Sequence, residues 1–220
     1  MQLSLLSIPF MTPLETGELP QSGVYALKNR RNDAFVIKTN GSLVAIDSGS
    51  VPSELADGFS RVGLDMNDVT DLFLTHSDSD HIGGLSLFPN ARIYISKREL
   101  KNPDGDGRIR SVRLSRFPES VTAERLRLLF GGESFEIGGH TIECIPAPGH
   151  SPGSMAFLLD DAILFSGDAL CIKDGKPGIH PSTADKAAAL ASIEKLVALG
   201  AGKAIYTSHY GVLDYRETAT

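Results

Sequence analysis

Residues 75–84 read Thr75-His76-Ser77-Asp78-Ser79-Asp80-His81-Ile82-Gly83-Gly84 and follow directly on the apolar run Leu72 to Leu74. Between His76 and His81 stand two imidazoles and two carboxylates. At the end of a strand, alternate side chains point the same way, so His76 and Asp78 can reach one metal ion. Asp80 and His81, where the backbone turns, can then serve a second. Gly83 and Gly84 let the chain bend away without a Cβ in its path. Imidazole nitrogen mixed with carboxylate oxygen suits zinc, manganese or iron rather than a calcium cage built from oxygens alone.

The same pattern of an apolar run ending in a potential ligand recurs along the chain. Thr141 to Ile145 leads through Pro146-Ala147-Pro148-Gly149 to His150, Ala162 to Phe165 leads through Ser166-Gly167 to Asp168, and Ala204 to Tyr206 leads through Thr207-Ser208 to His209. If these runs are strands that open on one cleft, their ends converge. His140 and His180 fall outside the pattern and are expected to face solvent in Gly- and Pro-rich turns.

The order His-x-x-x-Asp-His, then Gly-His in a Pro-Gly-rich turn, then Gly-Asp, then a late His closely resembles the metallo-β-lactamase superfamily. The resemblance runs from the hairpin ending at Asp47-Ser48-Gly49 to His209. It implies an α/β fold, the αββα four-layer sandwich, and a binuclear site for two divalent metal ions (Zn, Fe or Mn). Carried over residue by residue, His76, Asp78 and His150 hold the first ion, Asp80, His81 and His209 the second, and Asp168 bridges them. Most members have His where this chain has Asp78. That exchange places a harder, anionic ligand in the site and favours iron or manganese relative to zinc. An acidic residue there also resembles the flavodiiron branch.

Such a site implies hydrolysis. Two cations lower the pKa of a bound water to near neutrality and hold the resulting hydroxide against a carbonyl or phosphorus. Asp80 is the expected catalytic residue, ligating and accepting a proton from the attacking water. The substrate class is a small ester, thioester, lactone or phosphoester, since Pro148-Gly149-His150-Ser151-Pro152-Gly153 looks like the turn of the glyoxalase II group. The same turn occurs in persulfide dioxygenases, so a non-haem iron redox enzyme is the alternative, and a non-catalytic metal-binding domain a further one. No Gly-x-Ser-x-Gly elbow supports a serine nucleophile, since Ser154 and Ser166 lack the full set of flanking glycines. Asp47 could orient a ligand histidine through its second nitrogen or could be an ordinary turn aspartate. Tyr210 could offer a phenol to a substrate oxygen or could simply pack.

With 220 residues, 41% of them hydrophobic, the chain can bury the core of one domain spanning 1–220. No run approaches the ~20 apolar residues of a membrane span, and Met1 to Phe10 has no basic n-region. A cytoplasmic location is expected, with Cys144 a buried thiol and Cys171 packing rather than ligating. The net charge is −6, yet residues 97–127 carry nine Lys or Arg against five Asp or Glu. That segment could attract a small anionic substrate, or could be a solvated Arg-rich stretch. Asn102 to Gly107 within it reads as a mobile turn. An acidic chain without Trp makes nucleic acid an unlikely partner.

Strands are expected at Val24 to Leu27, Ala34 to Lys38, Leu43 to Ile46 and Val69 to Leu74, and again at Ser134 to Ile137, Thr141 to Ile145, Met155 to Leu159 and Ala162 to Phe165. Asn40-Gly41 and Asp160-Asp161 mark tight turns. Leu55, Phe59 and Val62 mark one face of a short helix. A final helix from about Ala184 to Leu199 should bury Ala188, Ile193, Leu196 and Val197 and stop at Gly200.

Overall fold

The structure, a computed structural model, describes residues 11–101, 110–112 and 117–216. Met1 to Phe10 and the turn Asn102 to Gly107 lie outside the described residues. The first half carries β1 (Gly17–Glu18), β2 (Val24–Asn29), β3 (Asn32–Lys38), β4 (Leu43–Ile46), helix α1 (Pro52–Arg61), β5 (Val69–Phe73), the single turn α2 (Ser79–Ile82) and β6 (Arg92–Ser96). A small ribbon, β7 (Leu100–Lys101) with β8 (Arg110–Ser111), precedes β9 (Leu126–Leu129). The second half carries β10 (Ser134–Ile137), β11 (His140–Pro146), β12 (Met155–Leu159), β13 (Ile163–Gly167), the ribbon β14 (Cys171–Lys173) and β15 (Lys176–Gly178), α3 (Lys186–Leu199), β16 (Ala204–Thr207) and β17 (Val212–Asp214).

Two mixed sheets result, ordered β1-β2-β3-β4-β5-β6-β9 and β10-β11-β12-β13-β16-β17. Strand β3 explains how they stack. Phe35 and Ile37 join Phe73, Phe157 and Phe165 between the sheets, while Ala34 and Val36 join Leu55 and Phe59 of α1 on the outer face. Side chains alternate with a period of two, and a strand buried on both faces needs apolar residues at every position, so the run reads as continuous. On the far side, Leu158, Leu164 and Ile205 of the second sheet pack on Ile193 and Leu196 of α3. Three apolar interfaces thus define four layers, the αββα sandwich. The Phe73 ring stacks on Tyr94 at 4.1 Å and meets Phe157 edge-on at 5.3 Å, sewing the two sheets together.

The helix α3 starts later than its apolar content suggests. Asp185 caps it by accepting the Ala188 N–H at 3.0 Å, so the first helical residue is Lys186. Its buried face is Ala189, Ser192, Ile193 and Leu196, with Ala188 and Val197 only half-buried. Ser192 goes inward because its hydroxyl donates to Pro148 O at 2.7 Å. Asp160 and Asp161 take φ of 51° and 52°, the left-handed pair that a tight turn between β12 and β13 requires.

Direction decides where the strand ends lie. β4 and β5 are parallel, and β13 and β16 are parallel. β11 and β13 each run antiparallel to β12 and therefore share a direction. Residues that follow β4 and β5 in one sheet, and β11, β13 and β16 in the other, emerge at a common rim.

Candidate metal centre

Each ordered element delivers one or two polar side chains to that rim. Asp47 follows β4, His76 to His81 follow β5, His150 follows β11, Asp168 follows β13 and His209 follows β16. Gly83 and Gly84 act differently from the expected sharp bend. Both have negative φ, and what they permit is close approach: a Cβ at Gly84 would stand 2.3 Å from Ser48 O, and one at Gly83 2.6 Å from Ser50 O. The His81 turn thereby lies flat on the loop that carries Asp47. Gly167 is left-handed at φ 55°, and its missing Cβ makes room for Thr75 just before Asp168.

All seven candidate ligands meet. His76, Asp78 and His150 form one triad and Asp80, His81 and His209 another, with the ligand atoms of each within 4.8 Å of one another. Asp78 Oδ2 stands 3.2 Å from His150 Nε2 and 3.6 Å from His76 Nε2. Asp80 Oδ2 stands 3.4 Å from His209 Nε2 and 3.9 Å from His81 Nε2. Asp168 lies between the triads, Oδ2 at 3.7 Å from both His81 and His150 and 4.0 Å from His76, Oδ1 at 3.4 Å from His209. Two atoms that each sit ~2.1 Å from a tetrahedral cation are separated by roughly 3.4 Å, so these spacings suit divalent ions bound by both triads.

The imidazole tautomers fit that use. His81 Nδ1–H donates to Asp47 Oδ2 at 2.8 Å, and His209 Nδ1–H donates to Arg31 O at 2.5 Å. Thr75 Oγ1 spends its proton on Asp47 Oδ2 at 2.7 Å and so accepts from His76 Nδ1–H at 3.0 Å. In all three rings the Nδ1 proton is committed to an oxygen, and Nε2 is the position facing the centre that a proton or a cation can occupy. His76 Nε2 and His81 Nε2 are buried there without a hydrogen-bond partner, as is Asp168 Oδ1, an arrangement costly unless a cation completes it. Asp47 therefore is the orienting residue, not merely a turn aspartate. It also accepts the Thr75 N–H at 2.8 Å and itself adopts φ 58°, a left-handed conformation disfavoured for a residue with a Cβ.

The side of the centre that carries Asp78 and His150 is held by Glu99, a carboxylate with no exposed surface. Its Oε2 accepts from Ser77 N–H at 2.9 Å and Ser77 O–H at 2.5 Å. Its Oε1 accepts from Ser151 O–H at 2.5 Å and Gly153 N–H at 2.8 Å. One side chain thus ties the loop bearing His76 and Asp78 to the turn bearing His150. In the sequence Glu99 sits in Lys97-Arg98-Glu99, a charged triplet with nothing to distinguish it from surface.

His180 is a correction. It does not face solvent but is 5% exposed, with Nε2 at 3.5 Å from Asp168 Oδ2 and its ring 4.8 Å from that of His150. Two backbone contacts fold its loop inward: Ala184 and Asp185 N–H both donate to Gly149 O, at 3.1 and 2.9 Å. Pairings of that kind leave no mark in residue spacing. Beside it, Tyr210 is buried against the His180 ring at 5.7 Å with its hydroxyl unpartnered. His140 stays away from the centre, half-buried on β11 and bonded to Asp160 at 2.6 Å. Cys144 and Cys171 are buried free thiols, the latter donating to Ile179 O at 3.2 Å.

Electrostatics concentrate on Asp168 and its ring of imidazoles. Burial works against its ionisation, yet His209 and His81 hold the Asp168 carboxyl well below the usual range. Burial likewise opposes charge on His209, but Asp168 and Asp80 carry it up to about 10. For Asp80, hydrogen bonding from His209 and the charge of His81 overcome burial and bring it down to about 2. His180 goes the other way, pushed down to about 4 chiefly by burial. Ionised carboxylates among imidazoles drawn toward protonation make a centre where protons and cations compete for the same lone pairs.

Among the described residues of the basic segment, Arg125 and Lys97 are engaged within the fold. Arg125 is spent on backbone carbonyls, donating to Ala91 O at 3.1 Å, Ser120 O at 2.7 Å and Phe88 O. Lys97 sits 5.8 Å over the exposed Phe130 ring, and both line a groove of about 530 Å³ that touches Pro148, Pro152 and Gly153 of the His150 turn. No helix among the described residues is long and apolar enough to cross a membrane.

A four-layer αββα sandwich with paired His/Asp triads on its rim defines the class of this protein by architecture. Within that class, the chain belongs to the metallo-beta-lactamase superfamily, whose family model matches residues 28–209. It is 29% identical over 153 residues to the uncharacterized protein YobT of Bacillus subtilis, covering 65% of this chain and 64% of that one. It is 31% identical over 138 residues to the hydroxyacylglutathione hydrolase of Shewanella denitrificans, covering 63% of this chain and 46% of that one. In structure it is similar to the superfamily protein ST1585 of Sulfolobus tokodaii, with TM-score 0.68, 22% identity, and coverage of 90% and 83% of the two chains. The chain spans 64% or less of the length of these two curated relatives.

Proposed function

We propose that the protein is a metal-dependent hydrolase of a small ester, thioester, lactone or phosphoester, with a binuclear centre. In this reading His76, Asp78 and His150 hold one divalent ion, Asp80, His81 and His209 the other, and Asp168 is shared. The observation that carries it is the set of three rings, His76, His81 and His209, whose Nδ1 protons are committed to oxygens so that each Nε2 lone pair meets Asp168. When bound, such ions supply a water-derived nucleophile at neutral pH and Lewis-acid stabilisation of the oxygen that gathers charge. The chain's own part is placement. Asp80, with 41% exposure the more open of the two loop carboxylates, reaches both the centre and solvent, and its low pKa leaves it ionised at neutral pH, with a free oxygen to take the proton of the attacking water. Relatives with hydrolase names support the class of reaction, not the substrate.

Elemental analysis of protein purified without added metal or chelator tests the reading. About two zinc or manganese ions per chain are expected, with at least one lost in His81→Ala, and turnover on a panel of esters, thioesters and phosphoesters. Less than half an ion, unchanged in His81→Ala, would sink it.

Asp78 favours a second reading. A carboxylate at this position, 3.2 Å from His150 Nε2, hardens the first triad toward iron and toward redox chemistry. Stoichiometric iron with oxygen consumption would replace the hydrolase by that alternative.

A further inference from the structure

His180 enters the centre with the opposite polarity to His76, His81 and His209. Its Nδ1 accepts the backbone N–H of Ser182 at 3.2 Å, so in the neutral imidazole the proton belongs on Nε2. Flipping the ring would set a carbon against that N–H and lose the bond. The Nε2 that faces Asp168 and His150 is therefore a donor, where His76, His81 and His209 present lone pairs. It makes no hydrogen bond, although the residue is 95% buried by its 5% exposure. The neighbouring Tyr210 hydroxyl is a second buried polar atom without a partner. A buried donor left without a partner beside the centre calls for an oxygen acceptor.

We infer that His180 is a catalytic residue and not an additional metal ligand: its Nε2–H donates a hydrogen bond to the oxygen of the substrate's scissile carbonyl or phosphoryl group. The inference rests on the hydrolase reading and deepens it. As a water oxygen bonds to the acyl carbon, the C=O π pair moves onto oxygen, where His180 meets the charge without giving up its proton. When the pair returns, the bond to the leaving group breaks, and the leaving group takes the proton that Asp80 received from water. The loop is built for this placement. Cys171 Sγ–H holds Ile179 O at 3.2 Å, Thr183 N–H returns to His180 O at 3.1 Å, and Gly149 O anchors residues 184 and 185. The donor is fixed before substrate arrives.

Long-range proton–nitrogen NMR of the zinc-loaded protein reads the tautomers directly. Apart from His140, whose Nε2 faces the acceptor Lys38 O at 3.2 Å, one histidine should carry Nε2–H, and its signals should vanish in His180→Gln. A His180 with Nδ1–H and a metal-shifted Nε2 would overturn the inference. Metal content adds a second readout. His180→Gln and His180→Ala should keep wild-type zinc, whereas loss of an ion, as in His81→Ala, would make His180 a ligand. Acetate, a mimic of a product carboxylate, supplies a third: its affinity for the zinc-loaded protein should fall about tenfold in His180→Ala and recover in His180→Gln, whose amide can donate. No acetate binding to the wild type, or equal affinity in all three proteins, would end the case for a donor. On whichever ester or thioester the wild type turns over, kcat should drop by about 10²-fold in His180→Ala with KM little changed. Failure of the wild type to take up zinc would remove the hydrolase reading and with it the substrate role of His180, whereas a wrong tautomer in a zinc-loaded wild type would remove the inference and leave the hydrolase reading standing.

Discussion

The two flanks of the centre are supported in different ways. On the Asp80, His81 and His209 flank, each ring is oriented individually, His81 by Asp47 and His209 by Arg31 O, both acceptors fixed at strand ends or in the loop beside them. On the His76, Asp78 and His150 flank, two loops are fastened together through one buried carboxylate, Glu99, which touches no ring at all. A ring held by its own acceptor keeps its direction when the backbone breathes; a pair of loops held by a shared anchor keeps its separation. The first device sets ligand orientation and the second sets the distance between ligands. The Asp78 flank can thus accommodate an unusual ligand without loss of the frame that surrounds it.

The largest expected effect comes from Asp47→Ala. Three donors, Thr75 N–H, Thr75 O–H and His81 Nδ1–H, lose their acceptor in a site with 1% exposure, and alanine inherits a φ of 58°. Loss of such an orienting partner costs about 10- to 100-fold in metal affinity, and the unsatisfied donors about 3 kcal/mol of stability. Calorimetric zinc titration should lose its step for the His81 flank and weaken the other less, since Thr75 Oγ1 no longer spends its proton on Asp47 and His76 Nδ1 loses a fixed acceptor, with Asp47→Asn intermediate. If both steps weakened equally, the flanks would not be independent.

Glu99→Ala should act on the other step. Four donors lose their acceptor, but two are hydroxyls with neighbours to turn to, Ser77 toward Ser111 at 2.6 Å and Ser151 toward Ser154 at 2.6 Å. The stability loss is expected near 2 kcal/mol and the loss of zinc affinity about tenfold, confined to the His150 flank. Glu99→Gln keeps two acceptor bonds at Oε1 and should lie halfway. A thermal melt unmoved by either change would show that the loops hold without their anchor.

How far these features were readable differs along the chain for physical reasons. The seven candidate ligands stood out because apolar runs that end in His or Asp mark strand ends, and strand ends at one rim converge. The hairpin at Asp160-Asp161 was readable because its chemistry is local. Strands β6 and β9 were not marked, since Arg92-Ile93-Tyr94-Ile95-Ser96 and Leu126-Arg127-Leu128-Leu129 lie in or beside charged sequence, and Leu128 is 42% exposed at the sheet edge. Glu99 and His180 were missed for one shared reason. Their burial comes from contacts between segments far apart in sequence, Gly153 N–H to the Glu99 carboxylate and Asp185 N–H to Gly149 O, and a single chain carries no local sign of such contacts. His180 in addition follows Lys176-Pro177-Gly178 and precedes Pro181, a setting that ordinarily marks an exposed turn.

The smallest expected effect sharpens the contrast most. Asp78→His would restore the ligand common in the superfamily on the flank that Glu99 frames, leaving every bond of that frame in place. His76 and His150 already stand 3.6 and 3.2 Å from the Asp78 carboxylate, so a third imidazole can replace it only if the loop tolerates the larger ring. With the frame intact, zinc retention should rise a few-fold relative to iron when both are offered in equal amounts, since a neutral nitrogen donor replaces a hard anionic one. The His81 flank, oriented by Asp47 and untouched by the change, should bind as before. Paired metal analysis of Asp78→His and Asp78→His with Glu99→Ala then separates ligand chemistry from support. Were the zinc preference to appear only while Glu99 is present, the anchor would be what makes position 78 a ligand. Were the metal ratio unchanged in both proteins, Asp78 would lie beside the ion without binding it.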